Sequence, residues 1–420
     1  MFDGASLDAS ARAGKLAAKM AAIPARAGIA AILAASLAAC SSTGTGFVAE
    51  STPSSAPVPQ VQSQPLPGAP ALPGGTVGET VGTGPVRVGA ILPLTQSGAP
   101  SPIGQSLRNA ALLAVDEYGS NDITLMIVDD HSTPDGAAQA AQQVLGAGAE
   151  IIVGPLFASD VREVARAAKS ANRPVIAFST DSSVASRGVY LLSFLIESYV
   201  DKIMEYAVAH GKKSFAVLAP QTDYANVALG EFQTEAAKLG ARVVTIARYA
   251  PGQPASAVQE IAGVANQIDA LFIPEQAEGM TIVNASLATS GIKAQILGTG
   301  VWSDPRVLKL PALQGAWFAA PEAAGFNGFA QKYKAKYNAA PPRLATLAYD
   351  AVTLVAALAR TQGAQRYGEA TLTNASGFIG ADGVFRFHPE GQNDRGLAIM
   401  QINNGDATVL TPAPHSFPSG

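Results

Sequence analysis

Short unbroken runs of Val, Ile, Ala, Leu and Phe alternate with amphipathic stretches along most of this 420-residue chain. The first run, Val86–Leu92 (VRVGAIL), predicts a buried strand, and Ile103–Tyr118 a helix. Ile123–Val128, Glu150–Val153 and Pro174–Phe178 read as further strands, with helices over Asp135–Leu145 and Ser159–Ser170. After a strand at Tyr190–Phe194 the alternation restarts with helix Ser198–His210. Strands Ser214–Leu218, Arg242–Arg248, Ala270–Ile273 and Gln295–Leu297 then interleave with helices Ala225–Leu239, Ala255–Ala265 and Gly279–Thr289. Helices Phe326–Tyr337 and Ala345–Arg360 follow, and a strand-rich end runs from Gly383 to Leu410. Strands without polar alternation are buried on both faces, which points to parallel sheets covered by helices. Two such series predict an α/β protein of two doubly wound lobes.

The alternation is absent before Val86. Ser41 to Pro85 is dominated by Ser, Thr, Gly, Pro, Gln and Ala, a linker composition that cannot offset its own ordering entropy. As a flexible coil such a segment averages about 35–40 Å end to end, and about 140 Å if drawn into polyproline II. Ahead of it, Ala27–Ala39 is a short apolar core preceded by Lys15, Lys19 and Arg26. That is a secretory signal, too short to span a bilayer stably. Met20 opens a complete signal by itself, so the residues before it read as surplus. The signal ends at Cys40, the only cysteine of the chain.

Composition narrows the functional classes. Hydrophobic residues make up 48% and charged residues 14%, which describes a globular fold with a large core. A net charge of −4 without basic runs gives no field for nucleic acid or for an anionic membrane surface. The four histidines (131, 210, 388 and 415) are scattered, and no HExxH, GxSxG, P-loop or post-strand GxGxxG is present. The segment from Asp129 to Gly136 (DDHSTPDG) superficially suggests a calcium loop but lacks the spacing and the closing Glu. Phe326, Phe329, Tyr333 and Tyr337 fall at helical spacing, which predicts core packing. The reading is a non-enzymatic protein without cofactor or metal.

Ligands of open α/β sheets bind beyond the carboxyl ends of the strands. In the first series those ends carry Gln96 and Ser97, then Phe157, then Ser179, Thr180 and Asp181. In the second they carry Tyr224, Glu275 and Trp302. Hydroxyls and helix-start N–H groups hold an anion, and aromatic rings cover an apolar tail. Each loop taken singly also reads as a helix N-cap. Their coincidence at successive strand ends makes them candidate ligand-binding residues.

The segments VGAILPLTQSGAPSPIGQSLRNAALLAVDE, IVDDHSTPDGAAQAAQQVL, IIVGP, RPVIAFST, DYANVALGEF, GTGVWSDP and LAYDAVTLVAALA together resemble the type I periplasmic binding proteins of the leucine/isoleucine/valine class, from about Val86 to Leu410. The resemblance implies two lobes joined by three crossovers around a ligand cleft. It places the first lobe at about 86–195 and 320–373, and the second at about 196–319 and 374–410, with 411–420 a tail. It further implies that hydroxyls in the Ser179–Asp181 loop receive a ligand carboxylate and that Tyr224 caps the ligand. The family's acid for the ammonium aligns with Gly300, which leaves Glu275 as the carboxylate to compensate. The pattern Leu37-Ala38-Ala39-Cys40-Ser41 resembles a bacterial lipobox, which implies a diacylated Cys40 and an anchored periplasmic domain. By the enterobacterial sorting rule, Ser41 favours the outer membrane. The implied partners are a small polar, amino-acid-like ligand and an ABC permease. The lipobox, the linker and Gly154-Pro155-Leu156 also resemble the penicillin-binding protein activators, whose partner would be a penicillin-binding protein.

Overall fold

The computed structural model describes residues 78–417, and no helix among them is long and apolar enough to cross a membrane. The signal segment, Cys40 and most of the linker lie outside the described residues. Two sheets organise the chain. The first has six strands, in the spatial order Glu79–Val81, Ile123–Asp129, Val86–Leu92, Ile151–Val153, Val175–Ala177 and Val189–Leu191. All neighbours are parallel except the edge strand Glu79–Val81, which runs antiparallel to Leu125–Ile127. That edge corrects the linker boundary: residues 79–81 were expected in the linker and instead extend the sheet. Val88, Ala90, Leu125, Ile127, Ile151 and Val153 are buried, as continuous apolar runs require.

The second sheet has seven strands. Its parallel part runs Arg242–Tyr249, Ser214–Pro220, Ala270–Phe272, Gln295–Gly298 and Trp317–Ala320. Ala398–Asn403 and Asp406–Thr411 then add antiparallel to its edge. Helices start where capping chemistry allows. Ser101 and Thr133 each accept a backbone N–H, from Gly104 and Gly136, ahead of Pro102 and Pro134 at the first helical positions. The first of these helices, Pro102–Ala114, continues into a widened π turn at Val115–Gly119. The aromatic stripe is core: Phe329 and Tyr333 are buried, with ring centroids 5.8 Å apart.

Residues 374–395 depart from the expected lobe boundary. The small sheet Phe378–Gly380, Gly383–Phe387 and Asn393–Arg395 packs Phe385 and Phe387 into the first-lobe core, against Tyr190 at 5.4 Å from Phe387. Only Ala398–Thr411 joins the second lobe. The tail is partly structured as well, since Thr411 closes a strand and Phe417 lies under Arg386 at 4.6 Å.

Three crossovers therefore connect the lobes, at residues 192–195, 321–322 and 396–397. They are tied together by buried and half-buried polar contacts. Arg343 donates to Asp382 Oδ1 at 2.6 Å and to the carbonyls of Pro321 and Glu322 at 3.2 and 3.1 Å. Arg395 Nε and Asn393 Nδ2 both donate to the Ser193 carbonyl, which fastens the third crossover to the first.

Candidate functional site

The chain leaves the first sheet at the carboxyl end of Val189–Leu191 and the second at the carboxyl end of Trp317–Ala320. The carboxyl ends of both parallel sets thus lie on the hinge side, where the loops frame the interlobe cleft. No hydrogen bond or ion pair among the described residues joins first-lobe strand-end loops to second-lobe ones.

On the first lobe the loops are exposed and tied to one another. Gln96 and Ser97 form the tip of a small hairpin, with Ser97 in the left-handed region at φ 50°. The hairpin is anchored through Thr95, whose N–H and hydroxyl donate to Asp129 at 3.1 and 2.6 Å. Ser132 donates in return to the Thr95 carbonyl. The DDHSTPDG segment is thus a scaffold for the hairpin: Asp129 and Asp130 accept the N–H groups of His131 and Ser132, both residues at positive φ. Burial works against the Asp129 carboxylate, but the Thr95 hydroxyl and the backbone N–H groups hold it below its ordinary range. Asp130 is wholly buried and pushed up to about 7 by that burial, assisted by the charges of Asp160 and Asp129.

Phe157 stands half-buried at the start of helix Ala158–Ser170. Ser179 is buried and its hydroxyl accepts from the Asp181 N–H at 3.1 Å, which leaves Thr180 exposed. Asp181 is occupied locally. Its carboxylate accepts from the Ser183 N–H at 3.0 Å and pairs with Arg162 at 3.3 Å. Ser183 first, then Arg162, hold it below the ordinary carboxylate range.

The second lobe presents a different face, aromatic and buried. Tyr224, at the start of helix Asp223–Lys238, shares a 2.6 Å hydrogen bond with Thr299, a residue buried just past the Gln295–Gly298 strand. Burial pushes the Tyr224 hydroxyl up to about 12. Glu275 is buried and committed inward, accepting from the Tyr249 hydroxyl at 2.6 Å and from the Gln276 N–H at 2.8 Å. Trp302 is wholly buried, and its indole N–H donates to the Glu275 carbonyl at 3.0 Å. The structure therefore places Trp302 in the core rather than on a ligand face. The nearby glycines show why. A Cβ at Gly298 would stand 2.3 Å from the Trp302 ring. A Cβ at Gly300 would stand 2.4 Å from the ring of Tyr199, so Tyr199 fills the space an acidic side chain there would need.

Sequence reasoning missed Tyr199, Thr299 and Arg395. Tyr199 sat inside a helical pattern, and its only advance signal was the Gly298/Gly300 spacing. For metal binding, Asp201, Glu231 and Glu235 are the described carboxylates that converge, within 4.8 Å. Glu235 already pairs with Lys238 at 3.0 Å, and Asp201 is pushed up to about 8 by burial and by Glu231.

A family model for the periplasmic binding proteins matches residues 85–407, and the chain belongs to that family. No curated protein matches it in sequence. Solved structures share the two-lobed fold. A protein from Rhodospirillum rubrum assigned to branched-chain amino acid ABC transport is 19% identical with a TM-score of 0.70, covering 77% of this chain and 99% of that one. A branched-chain amino acid substrate-binding protein from Streptococcus pneumoniae, in complex with isoleucine, is 23% identical with a TM-score of 0.56, covering 78% and 99%. A solute-binding protein from Rhodopseudomonas palustris in complex with 3,4-dihydroxybenzoic acid is 21% identical with a TM-score of 0.58, covering 80% and 98%. The chain is thus a periplasmic binding protein, and it shares its fold with solved structures assigned to branched-chain amino acid transport.

Proposed function

We propose that this protein is a lipid-anchored solute receptor that clamps a small polar ligand, an amino acid or its derivative, between its lobes and delivers it to an ABC permease. Cys40 carries the lipid, and the linker after it gives the domain reach from the membrane. The observation that carries the reading is a polar first-lobe loop set and a buried, aromatic second-lobe set on either side of a hinge of three crossovers. The exposed Thr180, beside the capped Ser179–Asp181 turn, offers a first-lobe contact for an anionic group. Across the cleft, Tyr224 and Thr299 offer hydroxyls.

The second-lobe face also narrows the ligand. Tyr199 occupies the place of an acid at residue 300, and the Glu275 carboxylate is bound inward. Neither position therefore offers its anion to a free α-ammonium, whose burial would carry a high desolvation cost. Ligands without that charge, such as N-acylated amino acids or plain carboxylates, fit this face better. The test is a thermal-shift and calorimetric screen of free amino acids, N-acetyl amino acids and aromatic carboxylates. A stabilising ligand from the latter two groups is expected, because binding only the native state raises Tm by mass action. Tight binding of free leucine would refute the narrower ligand class, and no shift with any compound would refute the receptor reading.

The locally satisfied Asp181 and the filled site at Gly300 also support a second reading, a lipoprotein that activates a penicillin-binding protein by contact. Crosslinking in cells distinguishes the two. Recovery of a permease supports the receptor, and recovery of a penicillin-binding protein supports the activator.

A further inference from the structure

A second concavity, of about 310 Å³, opens in the first lobe, and none of the strand-end loops lines it. Its walls come from the π turn, from helices Ala323–Tyr337 and Ala345–Thr361, and from strand Phe378–Gly380. Three rings form one side: Tyr349 stands 6.3 Å from Tyr118, edge to face, and 5.1 Å from Phe329. The widened turn delivers Tyr118 and Glu117 together, and π turns of this kind are frequent at functional sites.

Two acceptors in its lining lack partners. Asp350 is 2% exposed; its Oδ1 accepts from the Ala381 N–H at 2.7 Å, whereas its Oδ2 is buried with no partner. Thr353 Oγ1 is likewise buried without one. Arg395 acts on Asp350 only through its field, since neither terminal nitrogen of its guanidinium makes a hydrogen bond. The rim cation is already answered: Lys332 donates to Glu117 at 2.8 Å, and Glu117 also accepts from the Tyr349 hydroxyl. Glycines keep the site open. A Cβ at Gly380 would lie 2.3 Å from Asp350 Oδ2, and one at Gly328 would meet nothing within 4 Å.

A buried, unpartnered carboxylate oxygen beside aromatic faces is a costly arrangement that a cation relieves. We infer that this pocket binds a small primary amine with an apolar group, its ammonium donating to Asp350 Oδ2 and Thr353 Oγ1 and its apolar part against Tyr118, Phe329 and Tyr349. The volume is at the lower end of that of small-molecule sites. The inference stands independently of what the interlobe cleft binds.

The probe is benzylamine, titrated calorimetrically into the full-length protein, with benzyl alcohol and benzoate as controls. Saturable binding is expected, with benzyl alcohol weaker by about tenfold or more. Asp350→Asn and Gly328→Leu should each weaken benzylamine by about tenfold or more. Gly328→Leu fills the cavity at a helical position where glycine is a poor residue, so the fold is not at risk. If Asp350→Asn does not fold, Gly328→Leu decides alone. Absence of benzylamine binding up to about 10 mM, or affinity unchanged in Gly328→Leu, overturns the assignment.

Discussion

The two faces of the cleft are built on opposite plans. The first-lobe loops are short, partly exposed and hydrogen-bonded among themselves, with Thr95, Asp129 and Ser132 in one set and Ser179, Asp181, Ser183 and Arg162 in another. The second-lobe face is set into the core, where Tyr199, Tyr224, Thr299 and Glu275 are held by packing as much as by polar contacts. A surface turn tolerates change because water replaces whatever is lost. A packed face does not, because nothing replaces it. On the proposed reading, the second lobe constrains the ligand class more than the first.

The largest effect expected from this contrast is at Gly300. Gly300→Asp drives a side chain into the Tyr199 ring and should destabilise the fold by about 3 kcal/mol, read as a lower urea midpoint. Adding Tyr199→Ala should give a double variant less unstable than the sum of the two, by about 1 kcal/mol or more. Strict additivity would show that the ring does not occupy that space.

A smaller effect, of opposite sign, is expected beneath the first-lobe loops at Asp130. Its native carboxyl is pushed up to about 7, whereas the unfolded chain releases that proton near pH 4. Between those values the native state binds more protons, so this group lowers stability as pH rises through the window. Asp130→Asn should therefore stabilise by about 2 kcal/mol at pH 8 and by nothing at pH 4, measured by denaturant titration at both. An equal gain at both pH values would refute burial of the charge as the cause.

The smallest effect is at Asp181. Asp181→Ala removes a cap and an exposed ion pair, at a cost of about 1 kcal/mol or less. Because its native carboxylate is held below the ordinary range, that contribution is present above pH 4 and disappears as the pH falls below it. A loss comparable to that of Gly300→Asp would erase the distinction between the faces.

Much of the architecture was legible in the sequence. Continuous apolar runs identified the parallel strands, and amphipathic spacing placed helices such as Asp135–Leu145 and Ser159–Ser170 within a residue or two of where they form. The lobe boundary near residue 374 was not legible. Phe378, Phe385 and Phe387 suit either core equally well, and only the packing against Tyr190 shows which one they join. Site residues divided in the same way. Tyr224 and the Ser179–Asp181 turn sit where strand ends place them, whereas Trp302 had the composition of a ligand cover and lies in the core.

By itself, the sequence determined which segments are strands and helices and that two α/β lobes form. Those properties follow from periodicity and capping, which act over a few residues. The tertiary structure alone decided that Tyr199 fills the space beside Gly300, that Glu275 turns inward to Tyr249, and that Asp350 is left with an unpartnered oxygen at a pocket. Each depends on side chains that packing brings together from distant parts of the chain, and no local pattern encodes such a meeting.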